Sequence, residues 1–144
     1  MNIASILATK GDKVVTIRAE QSIREALGAL AQHNIGALVV VDDGMRPIGI
    51  LSERDIVRAA ARDEKVFPLL VGQLMTRDLV FGDPGDDLGA VGHTMVQRRI
   101  RHLPVVAAGK LVGMVSIGDV VKAQRDQYQG EVDTLQTIVM EHGH

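Results

Sequence analysis

Two short stretches carry residue types from which binding chemistry can be read. Gly49 to Val57 reads GILSERDIV, and Gly113 to Val121 reads GMVSIGDVV. In each, an apolar run leads into a Ser, and an Asp follows three residues later. A strand running straight into a helix has this pattern, with Ser52 and Ser116 as N-caps and Asp55 and Asp119 in the first helical turn. Such a junction aims backbone N–H groups and the positive end of the helix dipole at one spot, where an anion can sit. The carboxylate one turn in is placed to accept hydrogen bonds from vicinal hydroxyls, as on a ribose. Ser-x-x-Asp is also a plain capping box. The repetition of the whole stretch is what favours a site.

Other candidates are weaker. Arg98, Arg99, Arg101 and His102 form a basic knot, for which phosphate binding by Arg101 or His102 fits better than a nucleic-acid patch, because the chain as a whole carries a net negative charge. Lys10-Gly11 fits a surface turn or a phosphate contact. Arg54 fits either a phosphate contact or a solvated helix face, and its counterpart Gly118 would admit close backbone approach. The five His residues show no metal spacing, and His142-Gly143-His144 reads as a frayed end, so no metal site is expected. Asp42-Asp43 and Asp86-Asp87 read as turn and cap residues. No Ser has a visible base partner, and no phosphate-binding Gly-rich loop occurs, so no catalytic residue is assigned and the chain is not expected to be an enzyme.

Composition narrows the classes. The chain has 144 residues, 46% of them hydrophobic, enough for one ordinary domain or two half-size units sharing a core. Sixteen basic and 18 acidic side chains give a formal charge of −2, with no basic excess to hold nucleic acid. Phe67, Phe81 and Tyr128 are the only aromatics, too few for base-stacking platforms. The absence of Cys removes disulfides, thiolate nucleophiles and Cys-type zinc sites. The N-terminus lacks the pattern of a signal peptide, and no apolar run approaches a membrane span. A cytoplasmic protein without membrane attachment is the expectation.

These residues must be positioned by repeated elements. Adding 65 to a position lays Ser22 on Asp87, Ile35 on Ile100, Val40 on Val105 and Gly44 on Gly109; after one deletion an offset of 64 lays Gly49 on Gly113 and Asp55 on Asp119. In the first unit, Val14–Ile17 reads as a strand. Ser22-x-x-Glu25 caps a helix bearing Ile23, Ala26, Leu27 and Leu30, and Asn34 ends it. Ala37–Val41 and Ile48–Leu51 read as strands around an Asp43-Gly44 turn, and Ser52 opens a second helix. The second unit repeats this order. Leu79–Phe81 is its first strand, Asp87 to Arg98 a helix, Leu103–Val106 and Leu111–Val115 a hairpin, and Ser116 opens a long final helix. Asp63 to Gly72 connects the units. Each unit is thus β-α-β-β-α. Two of them bury their sheets together in an α+β fold with pseudo-twofold symmetry, with clefts between them. The expected divisions are 1–66, 67–127 and a helical extension over 128–144. The apolar stripe of that extension, with Tyr128, Val132, Leu135, Ile138 and Val139, fits a homodimer surface or packing back on its own domain.

The ordered motifs resemble tandem CBS domains, also called Bateman modules. The resemblance rests on Val15-Thr16-Ile17 with Ser22-x-x-Glu25-Ala26, on Asn34 to Val40, and on Gly49-x-x-Ser52-x-x-Asp55. In the second unit it rests on Arg99-Ile100-Arg101-His102-Leu103-Pro104-Val105-Val106 and on Gly113-x-x-Ser116-x-x-Asp119. It extends from about Ile6 to about Gln127 and implies a stand-alone CBS pair with no catalytic domain attached. What it implies further is a regulatory module that binds AMP, ATP or NAD(H) between the repeats without turnover, with no cofactor required. By resemblance, Asp55 and Asp119 hold ribose hydroxyls, and Ser52 and Ser116 lie near ribose and phosphate. Arg101 and His102, in the stretch that continues to Pro104, match positions that reach phosphate; Gly36 and Ala37 stand there in the first unit, so equal occupancy of the two clefts is not implied. Thr16, Ile17, Phe81 and Gly82 match first-strand residues that face the base. A homodimer and an unidentified protein target are the expected partners. The alternative is a ligand-independent interaction module acting through the last helix.

Overall fold

The computed structural model describes residues 1–11 and 13–142, with side chains through Gln136. Ile138 and Val139 of the expected stripe, and the His142-Gly143-His144 tail, lie outside the described side chains. The elements are α1 (Ile3–Lys10), β1 (Thr16–Arg18), α2 (Ile23–His33), β2 (Ala37–Val41), β3 (Pro47–Ser52), α3 (Glu53–Arg62), α4 (Val71–Leu74), α5 (Leu88–Gln97), β4 (His102–Ala107), β5 (Lys110–Ser116) and α6 (Ile117–His142).

The first repeat has the expected order. Ser22 caps α2 reciprocally: its Oγ accepts from the Glu25 amide at 3.1 Å, and Glu25 accepts from the Ser22 amide at 3.4 Å. Asn34, in the left-handed region at φ 52°, ends that helix and turns the chain into β2. The strand order is β1-β2-β3, with β1 parallel to β2 and β2 antiparallel to β3. All of β2 is buried, so its unbroken aliphatic run is a central strand covered on both faces.

The second repeat differs at its start. The expected strand Leu79–Phe81 is absent, and β4 and β5 form a two-stranded antiparallel sheet. One parallel bridge, Gly82 to Val105, stands where Ile17 pairs with Val40 in the first repeat. The Gly82 amide donates to the Pro104 carbonyl and the Val106 amide to the Gly82 carbonyl, both at 2.9 Å. Pairing stops there because Asp83 immediately enters a turn, with the Gly85 amide donating to its side chain at 2.8 Å and Pro84 following. A Cβ on Gly82 would lie 2.7 Å from Leu103 and 2.8 Å from Ile3, so only glycine lets the chain approach this closely.

The lead-in segments are exchanged. Helix α1 precedes the first repeat, yet Ile3 and Ile6 are buried in the core of the second, with Leu88, Met95, Leu103 and Val115. Val71 and Met75 precede the second repeat, yet they are buried in the core of the first, with Ile23, Leu38, Leu51 and Ile56. Burying each such aliphatic stabilises the fold by roughly 1.5–3 kcal/mol. The exchange therefore ties the halves together. It also carries the residues after Met75 and after Leu7 to the two strand–helix junctions.

Candidate functional site

Ser52 has extended backbone and ends β3, and α3 begins one residue later. The capping box is present: Asp55 Oδ2 accepts from the Ser52 amide at 2.9 Å and lies 3.2 Å from Ser52 Oγ, which in turn accepts from the Asp55 amide at 3.4 Å. The capping role occupies Oδ2. Oδ1 has one long contact, 3.4 Å from Thr76 Oγ1, and so retains acceptor capacity for a ligand hydroxyl.

Around this carboxylate lies a cavity of about 280 Å³, near the lower end of the roughly 300–1,000 Å³ range of small-molecule sites. Gly36, Ile50, Ser52, Glu53, Arg54, Asp55 and Arg58 line one side, from the first repeat. Thr76 and Asp78–Val80 line the exchanged segment's side, and Arg99, Ile100, Arg101 and His102 close it from the second repeat. The backbone pairs Ile50 with Thr76 (amide to carbonyl 2.8 and 3.0 Å), which fixes that segment against β3. Arg99 has φ 54° at the position where the first repeat has Asn34. A bulky residue in the left-handed region carries strain and places this side chain at the cavity.

Charge is the distinctive property. Arg54, Arg58, Arg99 and Arg101 all line the cavity, and among the described residues none of the four makes an ion pair within 4.0 Å. Four guanidiniums without an ion pair beside the start of a helix have the chemistry to hold an anion, and Ile50, Leu79, Val80 and Ile100 supply apolar walls. His102 is half-buried; its pKa is held below the ordinary histidine value by burial and then by the Lys10 charge, with Asp119 opposing.

Of the residues singled out from sequence, Gly36, Ser52, Arg54, Asp55, Arg99, Arg101 and His102 meet at this cavity. Thr16 lies elsewhere, in a second hollow beside the hairpin turns at Met45 and Gly109. Ile17 and Ala37 are buried in the core of the sheet. Pro104 is buried in β4. Phe81 is 46% exposed and does not line the cavity; Leu79 and Val80, just ahead of it, do. Ser116 and Asp119 form a separate junction. There Asp119 Oδ2 accepts from the Ser116 amide at 2.8 Å and from Lys10 Nζ at 2.6 Å. Burial alone raises the Asp119 carboxyl, but the hydrogen bonds from Lys10 and Ser116 outweigh it and the net shift is downward. Lys10, at the end of α1, is thus tied to the second junction by two hydrogen bonds.

Arg58 was legible in principle, since it follows Arg54 by four residues and shares its helix face. Thr76 and Asp78 carry no local signal; tertiary pairing brings them in. Among the described residues, no group of three or more His, Cys, Asp or Glu could hold a metal ion.

Comparison with known proteins agrees with this architecture. The family model described as CBS domain matches twice, over residues 4–62 and 71–126. The CBS domain-containing protein YhcV of Bacillus subtilis is 34% identical over 122 residues, covering 85% of this chain and 86% of the relative. Among solved structures, the CBS-domain protein ATU1752 of Agrobacterium tumefaciens superposes with a TM-score of 0.83 at 38% identity, over 86% of this chain and 99% of that one. The CBS domain pair of the protein MJ0100, solved in complex with 5′-methylthioadenosine and S-adenosyl-L-methionine, superposes with a TM-score of 0.77 at 25% identity, over 88% of this chain and 98% of that one. With two matched repeats spanning most of its length, the chain belongs to the CBS-domain family.

Proposed function

We propose that the chain is a regulatory sensor that binds an adenosine nucleotide in the Asp55 cleft and does not turn it over. The observation that carries this reading is the juxtaposition of Asp55 Oδ1, with acceptor capacity to spare, and four unpaired arginines around one cavity. A ribose diol suits the carboxylate, a phosphate chain suits the guanidiniums, and the aliphatic walls suit a base. That a CBS pair of the same fold holds adenosine-containing ligands supports the class. Methylthioadenosine and S-adenosylmethionine offer no phosphate to four arginines. The ligand proposed here is therefore ATP first, then AMP and NAD(H). Binding favours one arrangement of the repeats and so alters affinity for a protein target. No helix among the described residues is long and apolar enough to cross a membrane, and cytoplasmic action is part of the proposal.

Thermal melting with ATP, ADP, AMP, NADH and S-adenosylmethionine tests this. Ligand at a hundred times its Kd stabilises by about 2.7 kcal/mol, so a clear rise in Tm is expected with the phosphate-bearing ligands. No rise with any of them at millimolar concentration overturns the reading.

A second reading concerns α6. Val121, Tyr128 and Leu135 recur at seven-residue steps and are 55%, 68% and 62% exposed. That period suits a helix seam shared with a second copy, and we propose a homodimer through this face.

A further inference from the structure

The exchanged segments place opposite charges at the two junctions. Leu7 lies over Gly113 as Met75 lies over Gly49. Three residues beyond Met75 comes Asp78, and three beyond Leu7 comes Lys10. Asp78 lines the Asp55 cavity. An acid there offers Asp55 no cation, and Asp55 makes no ion pair among the described residues. Lys10 instead reaches Asp119 Oδ2 at 2.6 Å and the Met114 carbonyl at 2.9 Å. Met114 is the counterpart of Ile50, since 114 − 50 equals 119 − 55. The Ile50 carbonyl is taken by the Thr76 amide at 2.8 Å. At the second junction one ammonium thus fills both the place of the Thr76 amide and the place beside the carboxylate. Lys10 is held there from behind: it ends α1, whose Ile3 and Ile6 are buried in the second repeat, and Gly11 at φ 97° turns the chain away.

We infer that Lys10 is a built-in occupant of the second junction, a specificity-determining residue that restricts nucleotide to the Asp55 cleft and keeps the Asp119 cleft latent. This rests on reading the Asp55 cleft as a nucleotide site. A ribose diol reaching Asp119 must share the carboxylate with an ammonium already seated on Oδ2, the oxygen that also receives the Ser116 amide, whereas Asp55 makes no ion pair among the described residues.

Calorimetric titration of ATP into the wild-type chain and into Lys10→Met tests it. Met keeps the aliphatic stem and removes the charge. One ATP per chain is expected for wild type and two for Lys10→Met, the second binding at least tenfold more weakly. Acylation of lysines by acetyl N-hydroxysuccinimide ester, read by mass spectrometry, gives a separate measure. Lys10 labelling should be unchanged by saturating ATP in wild type, and should rise severalfold in Asp119→Asn without ATP. Two ATP in wild type, one in Lys10→Met, or ATP-enhanced labelling of wild-type Lys10 overturns the inference. If wild type binds no ATP, both the nucleotide reading and the site selection fall, while the Asp119→Asn labelling contrast still shows whether the Lys10 contact exists in solution.

Discussion

Met75 Sδ lies 2.6 Å from where a Cβ on Gly49 would stand, and the Thr76 carbonyl lies 3.1 Å from the same point. A residue that leads into the second repeat is thus seated on the return strand of the first, at the one place where that strand has no side chain. Gly113 receives Leu7 in the same way, with a terminal carbon 2.7 Å from the added Cβ. The tight seats set the positions of Thr76 and Lys10, and through them the state of each carboxylate.

Gly49→Ala is therefore expected to destabilise by about 1–3 kcal/mol through overpacking, and to weaken nucleotide binding by displacing Thr76. Gly113→Ala is expected to cost less, because the obstruction is the tip of a side chain. Leu7→Ala combined with Gly113→Ala should be less destabilised than the sum of the single changes. Urea unfolding of the four variants checks this, and strict additivity would show that the two residues are not in contact.

Removing cavity arginines separates phosphate from nucleoside recognition. Arg58→Ala and Arg101→Ala should each cost about 1.5–3 kcal/mol in ATP affinity, as for hydrogen bonds to charged groups, or roughly tenfold or more in Kd. Adenosine affinity should stay within about a factor of two. Competition binding with ATP, AMP and adenosine measures the ratio. Equal loss for adenosine and ATP would argue against a phosphate contact.

The local motif made part of this legible. The doubled Ser-x-x-Asp marked both junctions, and Asn34, Ser22 and the β2 run announced their elements through capping and β-branching. What was not legible depends on contacts remote in sequence. Helix α1 was unforeseen because Ile3, Ile6 and Leu7 have no apolar partner within their own repeat; their partners lie in the second repeat. The expected Leu79–Phe81 strand fails because the Asp83–Asp86 turn follows at once and a single glycine carries the pairing. Equivalence of the two carboxylates was a fair expectation from the repeat. The opposite charges of Lys10 and Asp78 break it.

His102 gives a pH signature. Its folded pKa is below the ordinary 6.5 because of burial and Lys10, with Arg101 adding to them and Asp119 and Glu53 opposing. The unfolded chain therefore takes up a proton here before the folded one does. This contribution lowers stability as pH falls through about 6.5, and the penalty vanishes as pH rises above it. His102→Gln should flatten the change in urea midpoint between pH 5.5 and 7.5. Asp119, whose folded pKa is depressed, acts only at lower pH: its stabilisation is present above the ordinary 3.8 and lost as pH falls through the folded value. An unaltered slope in His102→Gln would contradict the assignment.

The α6 seam predicts its own loss. Tyr128→Glu with Leu135→Glu places charge on the exposed stripe and should yield a monomer by light scattering, with ATP binding retained. A dimer unaffected by both changes would place the interface elsewhere.

The most direct test of the account is ATP calorimetry on the wild-type chain beside Asp55→Ala. Asp55→Ala removes the carboxylate that accepts from the Ser52 amide, a bond to a charged group worth about 1.5–3 kcal/mol, so folding of the variant is verified by circular dichroism at the temperature of titration. Saturable ATP binding is expected in wild type, reduced tenfold or more in folded Asp55→Ala. Absence of wild-type binding at millimolar ATP, or the same affinity in both chains, would contradict it.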